Sequence, residues 1–296
     1  MLPSAEALFS SLVNGLITGS TYALMAVGFT LVYGIMRVIN FAHGALYMVG
    51  AYAAYLAISY LGFDPIVSIG FSFIAVFLLG MIIERFLVAP IRKLKGDQLV
   101  NSILVTLGLS IFLENIMLEI FGAYPKGEVY YYPGTVDFFN VTISFERIIF
   151  LVTGVVSVSG FAFFTRYSRL GKAIRAVAMN PEAATVAGID LPRIYMLTFA
   201  ISSGLAATAG ALLLPMNFAH PFVGQEPLRT MFVVVVLGGL GSIVGALLAG
   251  FILGITKSVV TLLFGSVVHD IAAFVILLLI LLVRPQGLMG WEKPRI

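Results

Sequence analysis

The sequence predicts an all-α fold, a polytopic transmembrane helix bundle of about eight or nine spans, and three observations predict it. Hydrophobic residues make up 60% of the 296 residues and charged ones only 10%. With a mean hydropathy of +1.07, too few polar side chains remain to cover a water-facing surface. The apolar residues fall in runs near the ~20 residues that cross a hydrocarbon layer as helix, for instance 66–83, 194–214 and 271–283. These runs are continuous rather than alternating, which points to helices rather than barrel strands in a solvent that cannot satisfy free backbone groups.

Taken in order, the expected spans are 7–36, 41–61, 66–87, 100–121, 148–164, 193–214, 228–256 and 266–283. Residues 1–12 lack a basic leader, so the first apolar segment is expected to stay in the protein. The first and seventh spans are long and glycine-rich. Gly15, Gly19, Gly28 and Gly34 punctuate one, and Gly238-Gly239-Leu240-Gly241-Ser242 interrupts the other. One or two broken or re-entrant helices are therefore expected, the competing reading being close packing of helices through small residues.

Between the fourth and fifth spans, residues 122–147 form the largest external loop. Val129, the tyrosines Tyr130 to Tyr132, the Pro133-Gly134 turn and the alternation from Val141 to Phe145 predict a small hairpin-like periplasmic cap. Three consecutive tyrosines suit a membrane interface. Asn140-Val141-Thr142 has the form of a glycosylation acceptor, which matters only in a cell with that pathway.

Basic residues predict the orientation. With the N-terminus outside, the inner face receives Arg37, Arg85, Arg92, Lys93, Lys95, Arg166, Arg169, Lys172, Arg175, Arg193, Arg284, Lys293 and Arg295. That is 13 of the 17 Lys and Arg, leaving Lys126, Arg147, Arg229 and Lys257. An outer N-terminus with an inner C-terminus requires an odd number of crossings, so one span is re-entrant or a long one crosses twice.

The inner loop 166–192 is the most informative stretch. Asn180 is a good N-cap, Pro181 suits the first helical position, Glu182 complements the helix dipole and Gly188 suits the stop, which together define a short helix over 181–187. A basic helical piece over 170–179, carrying Lys172 and Arg175, precedes it. Two capped turns on the inner face read either as a docking surface or as an ordinary solvated linker.

Here the sequence resembles a known family. Residues 171–190, GKAIRAVAMNPEAATVAGID, are similar to the cytoplasmic signature of the branched-chain amino acid ABC transporter permeases. Residues 14–44, NGLITGSTYALMAVGFTLVYGIMRVINFAHG, resemble the LivH type in particular; residues 235–246, VVLGGLGSIVGA, and the ending RPQGL at 284–288 also fit. The resemblance covers nearly the whole chain as a single permease domain. It implies a subunit of an ATP-driven importer for branched-chain amino acids, in a prokaryotic cytoplasmic membrane. It further implies a second, LivM-like permease subunit, two cytoplasmic ATP-binding subunits and an external amino-acid-binding protein. Gly171, Lys172, Arg175, Asn180, Pro181, Glu182 and Gly188 would then resemble the element on which the ATPase pushes. Members of this family that carry amides or urea, and a self-sufficient secondary carrier or channel, stand as the alternatives.

The remaining residues agree with a transport subunit rather than an enzyme. No G-x-x-x-x-G-K-[ST] phosphate loop is present, so ATP and Mg are expected on partner subunits and no cofactor on this chain. With no cysteine, and no His, Asp or Glu spacing that fits a metal, no metal site is expected. Ser102, Thr106, Ser110 and Glu114 recur every four residues and share one stripe of the fourth helix, either lining a pathway or fixing helix packing by hydrogen bonds. Asn40 and His43 follow the first span, and Gly238, Gly239 and Gly241 could present helix ends to a zwitterion. Asn40-Phe-Ala-His43 reappears as Asn217-Phe-Ala-His220, 177 residues on. The flanks align poorly, so the repetition reads as coincidence.

Overall fold

The structure, a computed structural model, describes residues 4–92, 97–127, 132, 134–138, 141–265 and 268–290. In chain order the elements are α1 (Ala5–Met36), α2 (His43–Ser59), α3 (Pro65–Ile83), which continues through a π-helical turn (Glu84–Val88) into α4 (Ala89–Ile91), and α5 (Gln98–Phe121). Then come β1 (Thr135–Phe138), β2 (Val141–Ser144), α6 (Phe145–Tyr167), α7 (Arg169–Met179), α8 (Pro181–Val186) and α9 (Leu191–Leu212). The chain closes with α10 (Leu214–Asn217), α11 (Gln225–Gly238), α12 (Ile243–Phe264) and α13 (Val268–Val283). Local sequence explains the starts: Ser4, Asp64, Asp97 and Ser242 each accept a hydrogen bond from an amide in the first turn that follows. Six of the described helices are long and apolar enough to cross a membrane, and 271–283 adds a shorter apolar helix. The chain is an all-α, multi-pass membrane protein.

The glycines of the first span do not break it. α1 runs unbroken for 32 residues, because none of its glycines is needed for positive φ; each is a place of close approach. Gly15 and Gly19 lie against the backbone of Gly254, Ile255, Gly250 and Phe251 on α12, and Gly28 leaves room for the Ser202 carbonyl and the His43 ring. The irregularity comes one step later. Arg37 takes a left-handed conformation (φ 54°), residues 37–42 run without helix, and α2 is short. The expected seventh span is two helices: α11 ends at Gly238, Gly239 (φ 99°) and Gly241 (φ 89°) turn the chain, and α12 starts after Ser242. Backbone contact of Gly238 with Gly245 closes this hairpin.

One end of the bundle carries the basic residues. It gathers the C-terminus of α1, the π-turn with Arg85, the start of α5, the α6–α9 loop, the α11–α12 turn and Arg284, and Leu288 and Met289 donate backbone hydrogen bonds to the Leu237 and Gly238 carbonyls there. Lys93, Lys95, Lys293 and Arg295 lie outside the described residues. The opposite end carries the two-stranded antiparallel hairpin, with Thr135 paired to Ser144 and Phe138 to Val141. Tyr132 donates to Asp64 (2.7 Å) and Lys126 bridges to Ala219, anchoring the hairpin at that end. Residues 128–131, 133 and 139–140, with two of the expected interfacial tyrosines and the glycosylation-type Asn140, lie outside the described residues, as do Ser266 and Val267 of the last expected span.

The core is two interlocked halves of opposite sense. In the first, a long helix (α1), an extended leg (37–42), a short helix (α2) and two further helices (α3, α5) follow one another; in the second, α9, a leg (213–224) containing α10, the short α11, then α12 and α13 do the same. α1 packs antiparallel on α12 as α9 packs antiparallel on α3, where Gly80 meets Ala200 and Ser203. α2 lies on α9 and α3 as α11 lies on α1 and α12. Both Asn-Phe-Ala-His stretches fall where a leg leads into a short helix. The match is not in register: 177 residues separate His43 from His220, whereas 180 separate Gly44 from Gly224, which meet at the starts of the short helices.

Candidate functional site

The extended leg 37–42 poses the first chemical problem. Its backbone groups have no helix to satisfy them, and lipid cannot do so. The predicted stripe on α5 supplies the partners. Ile39 N–H donates to Ser102 Oγ (3.3 Å), Phe41 N–H to Thr106 Oγ1 (3.0 Å), and the one hydroxyl hydrogen of Thr106 has both the Ser102 carbonyl (2.7 Å) and the Ile39 carbonyl (3.1 Å) within reach. Below them Gln98 Nε2 donates to the Met36 carbonyl (3.0 Å). Asn40 Oδ1 accepts from Ala42 N–H (3.1 Å), and fully buried His43 donates from Nε2 to the Met25 carbonyl (3.0 Å), pinning the first turn of α2 to α1.

Further along the same stripe, Glu114 accepts from Ser110 Oγ (3.2 Å) and from Gln225 Nε2 (3.2 Å). Gln225 opens α11. One face of α5 therefore holds the approach to both short helices, and the starts of these helices touch at Gly44 and Gly224. Ser102 and Thr106 hold the leg that carries Asn40 and leads into His43, whereas Ser110 and Glu114 form a separate group with Gln225 further along α5. Gly238, Gly239 and Gly241 belong to neither: they form the α11–α12 turn at the basic end, where Gly239 lies against Gln286 and Gly290.

A second feature stands at the basic end. Ser168 caps α7 through Gly171 N–H (2.8 Å), Asn180 Oδ1 caps α8 through Ala183 N–H (3.0 Å), and Pro181 fills the first position of α8. Gly188 takes φ 84°, and its N–H donates to the Thr185 carbonyl, closing the helix. Gly171 leaves no space for a side chain beside the Phe164 and Thr165 carbonyls, and the Arg175 guanidinium donates to the carbonyls of Thr165 and Arg166 at the end of α6. Ile174, Val177 and Ala184 face inward. Lys172 and Glu182 face outward, with Met179 and Val186 exposed by 82% and 90%, so the pair offers an apolar tip on a rigid, capped support.

The third feature was not anticipated. A cavity of about 730 Å³ opens between α1, α11 and α12, lined by Ala7, Ser10, Ser11, Asn14, Thr18, Tyr22, Glu226, Lys257, Ser258, Thr261 and Leu262. Lys257 Nζ is 2.8 Å from Glu226 Oε1 and 3.2 Å from Thr230 Oγ1, and 5.4 Å from the centre of the Tyr22 ring. Tyr22 donates to the same Glu226 oxygen (3.3 Å). A sequence signal existed: Ser11, Asn14, Thr18 and Tyr22 recur at helical spacing on α1, and a lysine fifteen residues into an apolar helix is costly unless partnered. Among the described residues no group of three or more His, Asp or Glu is placed to hold a metal.

The family model described as branched-chain amino acid transport system, permease component, matches residues 11–284. This chain belongs to that permease family. The permease is 37% identical to the high-affinity branched-chain amino acid transport system permease protein BraD of Pseudomonas aeruginosa, over 98% of each chain. It is 35% identical to the permease protein LivH of Escherichia coli, over 94% of each. The permease protein LivM of Escherichia coli is 27% identical over 93% of this chain and 69% of its own. No solved structure matches the permease.

Proposed function

We propose that this chain is the transmembrane permease subunit of an ATP-driven importer for branched-chain amino acids. It pairs with a second permease subunit, takes solute from an external binding protein, and is driven by two cytoplasmic ATP-binding subunits. The observation that carries the reading is the α7–α8 pair. It is an apolar tip, Met179 and Val186, on a support fixed by Ser168, Arg175 and Asn180, in a chain without a phosphate loop of its own. A soluble motor domain needs such a projection if it is to push on a membrane bundle. The basic residues around it support a cytoplasmic location for this end. The N-terminus and the β1–β2 hairpin are then external, the short helices with their legs complete nine crossings, and the C-terminus is cytoplasmic.

The test is reconstitution. Proteoliposomes holding the complete assembly should accumulate leucine only with internal ATP and with the binding protein on the outer side. Leucine uptake by this chain alone, driven by an ion gradient, would overturn the reading.

A further inference from the structure

We propose that the cavity between α1, α11 and α12 is a binding station for the zwitterionic head of the transported amino acid, with Lys257 facing its carboxylate and Glu226 its ammonium group. The inference rests on the function proposed above and adds the place where solute is held.

Three observations carry it. The cavity has room for a small solute, about 730 Å³, yet its wall on α1 is hydroxyl and amide side chains. Ser11 and Thr18 are hydrogen-bonded within the bundle, to Ser258 and to the Asn14 carbonyl, but Glu226, 41% exposed, would be costly to turn toward lipid, so the cavity faces water or a partner subunit. Next, the ion pair is asymmetric: the Lys257 side chain is only 6% exposed, whereas Glu226 is 41% exposed. A buried pair can often be replaced by apolar residues of like volume without loss of stability, so a charged pair on the wall of a largely apolar cavity points to a use other than stability. Finally, Asn14, on the same wall, has a buried Oδ1 without a hydrogen-bond partner among the described residues. That oxygen has under 1 Å² accessible as it stands, so it meets a donor in the cavity only when the half-buried Asn14 side chain turns.

The chemistry of the solute fits. An α-amino acid carries both charges on one carbon, side by side, as Lys257 and Glu226 stand. On entry it exchanges one neutral pair for two, so no net charge is added to the site. The Tyr22 ring, Ala7 and Leu262 give the aliphatic side chain an apolar surface, and nothing there selects leucine over isoleucine or valine.

The test uses the whole transporter in proteoliposomes, so that uptake by the wild-type assembly checks the proposed function separately. In it, Lys257→Met/Glu226→Gln removes the pair as a unit without stranding a charge. The expected result is leucine uptake lowered about ten-fold or more, with ATP hydrolysis stimulated by the loaded binding protein retained. Uptake within about two-fold of wild type would overturn the station.

If the double variant does not assemble, Thr261→Cys decides, since the natural chain contains no cysteine. In an otherwise cysteine-free assembly, an anionic thiosulfonate should modify Cys at this position and block uptake, and leucine during turnover should slow the modification. No modification, or modification that leucine leaves unchanged, overturns the proposal.

Discussion

Gly44 and Gly224 lie backbone against backbone where the two short helices begin, so close that a methyl on either would overlap the main chain of the other. The contact joins the start of α2 to the start of α11, where the two halves of the bundle meet. No flexible side chain stands between them to yield. Gly224→Ala should therefore lower the stability of the purified complex by about 1–3 kcal/mol, the ordinary cost of overpacking. Gly70→Ala, on an open face of α3 with nothing within 4 Å, should leave stability unchanged or raise it by up to about 1 kcal/mol. Thermal unfolding of both variants checks the contrast.

Thr106 and Ser102 act as backbone surrogates for residues 39–41. Thr106→Val keeps the shape and removes the hydroxyl, stranding the Phe41 amide at a cost of about 1–3 kcal/mol. Hydrogen exchange at Ile39 and Phe41 should rise in Thr106→Val and rise further with Ser102→Ala added. Unchanged protection would show that these hydroxyls are not what holds the leg.

Glu114 is a tie between α5 and α11, accepting from Ser110 and Gln225. Glu114→Gln keeps an acceptor in place, so ATP-dependent uptake should stay within about two-fold of wild type. A carrier that used this carboxylate to couple an ion would lose transport altogether. Measured uptake in proteoliposomes separates these outcomes.

Val186 projects from α8 with 90% of its surface exposed and supports nothing inside the bundle. Val186→Asp should weaken association with the ATP-binding subunits about ten-fold or more, as loss of a central apolar anchor does, while the thermal stability of the permease itself is unchanged. Asn180→Ala, which removes the cap of α8, should cost about 1 kcal/mol locally. Co-purification under rising salt and detergent reads both effects.

How much of this was legible beforehand differs by element. Long spans such as α5 and α9, and the capped helix at 181–186, could be read because each is specified locally, by run length or by Asn180, Pro181 and Gly188 in register. The glycines of α1 could not be assigned from the chain alone. Gly15 and Gly19 serve contacts with residues some 235 positions away, and a glycine at a packing seam looks the same in sequence as one at a break. The stripe on α5 was visible, but its partner, the extended leg, fell mostly in the short connection expected between the spans 7–36 and 41–61, where nothing local marked it as buried. The cavity escaped because its charges sit on separate helices, Glu226 on α11 and Lys257 on α12, and only the hairpin turn at Gly239 and Gly241 sets them side by side.

The dependence of residues 39–41 on α5 has a consequence for how the protein is made. Synthesis delivers the leg first and Thr106 65 residues later, so for that interval the chain holds a non-helical stretch that no bilayer will accept by itself. α2, with 17 residues, is at the lower limit of a spanning helix and has no slack to carry the leg with it. Insertion one span at a time would leave the leg unsatisfied, so the segment from α1 to α5 should settle in the membrane as one unit.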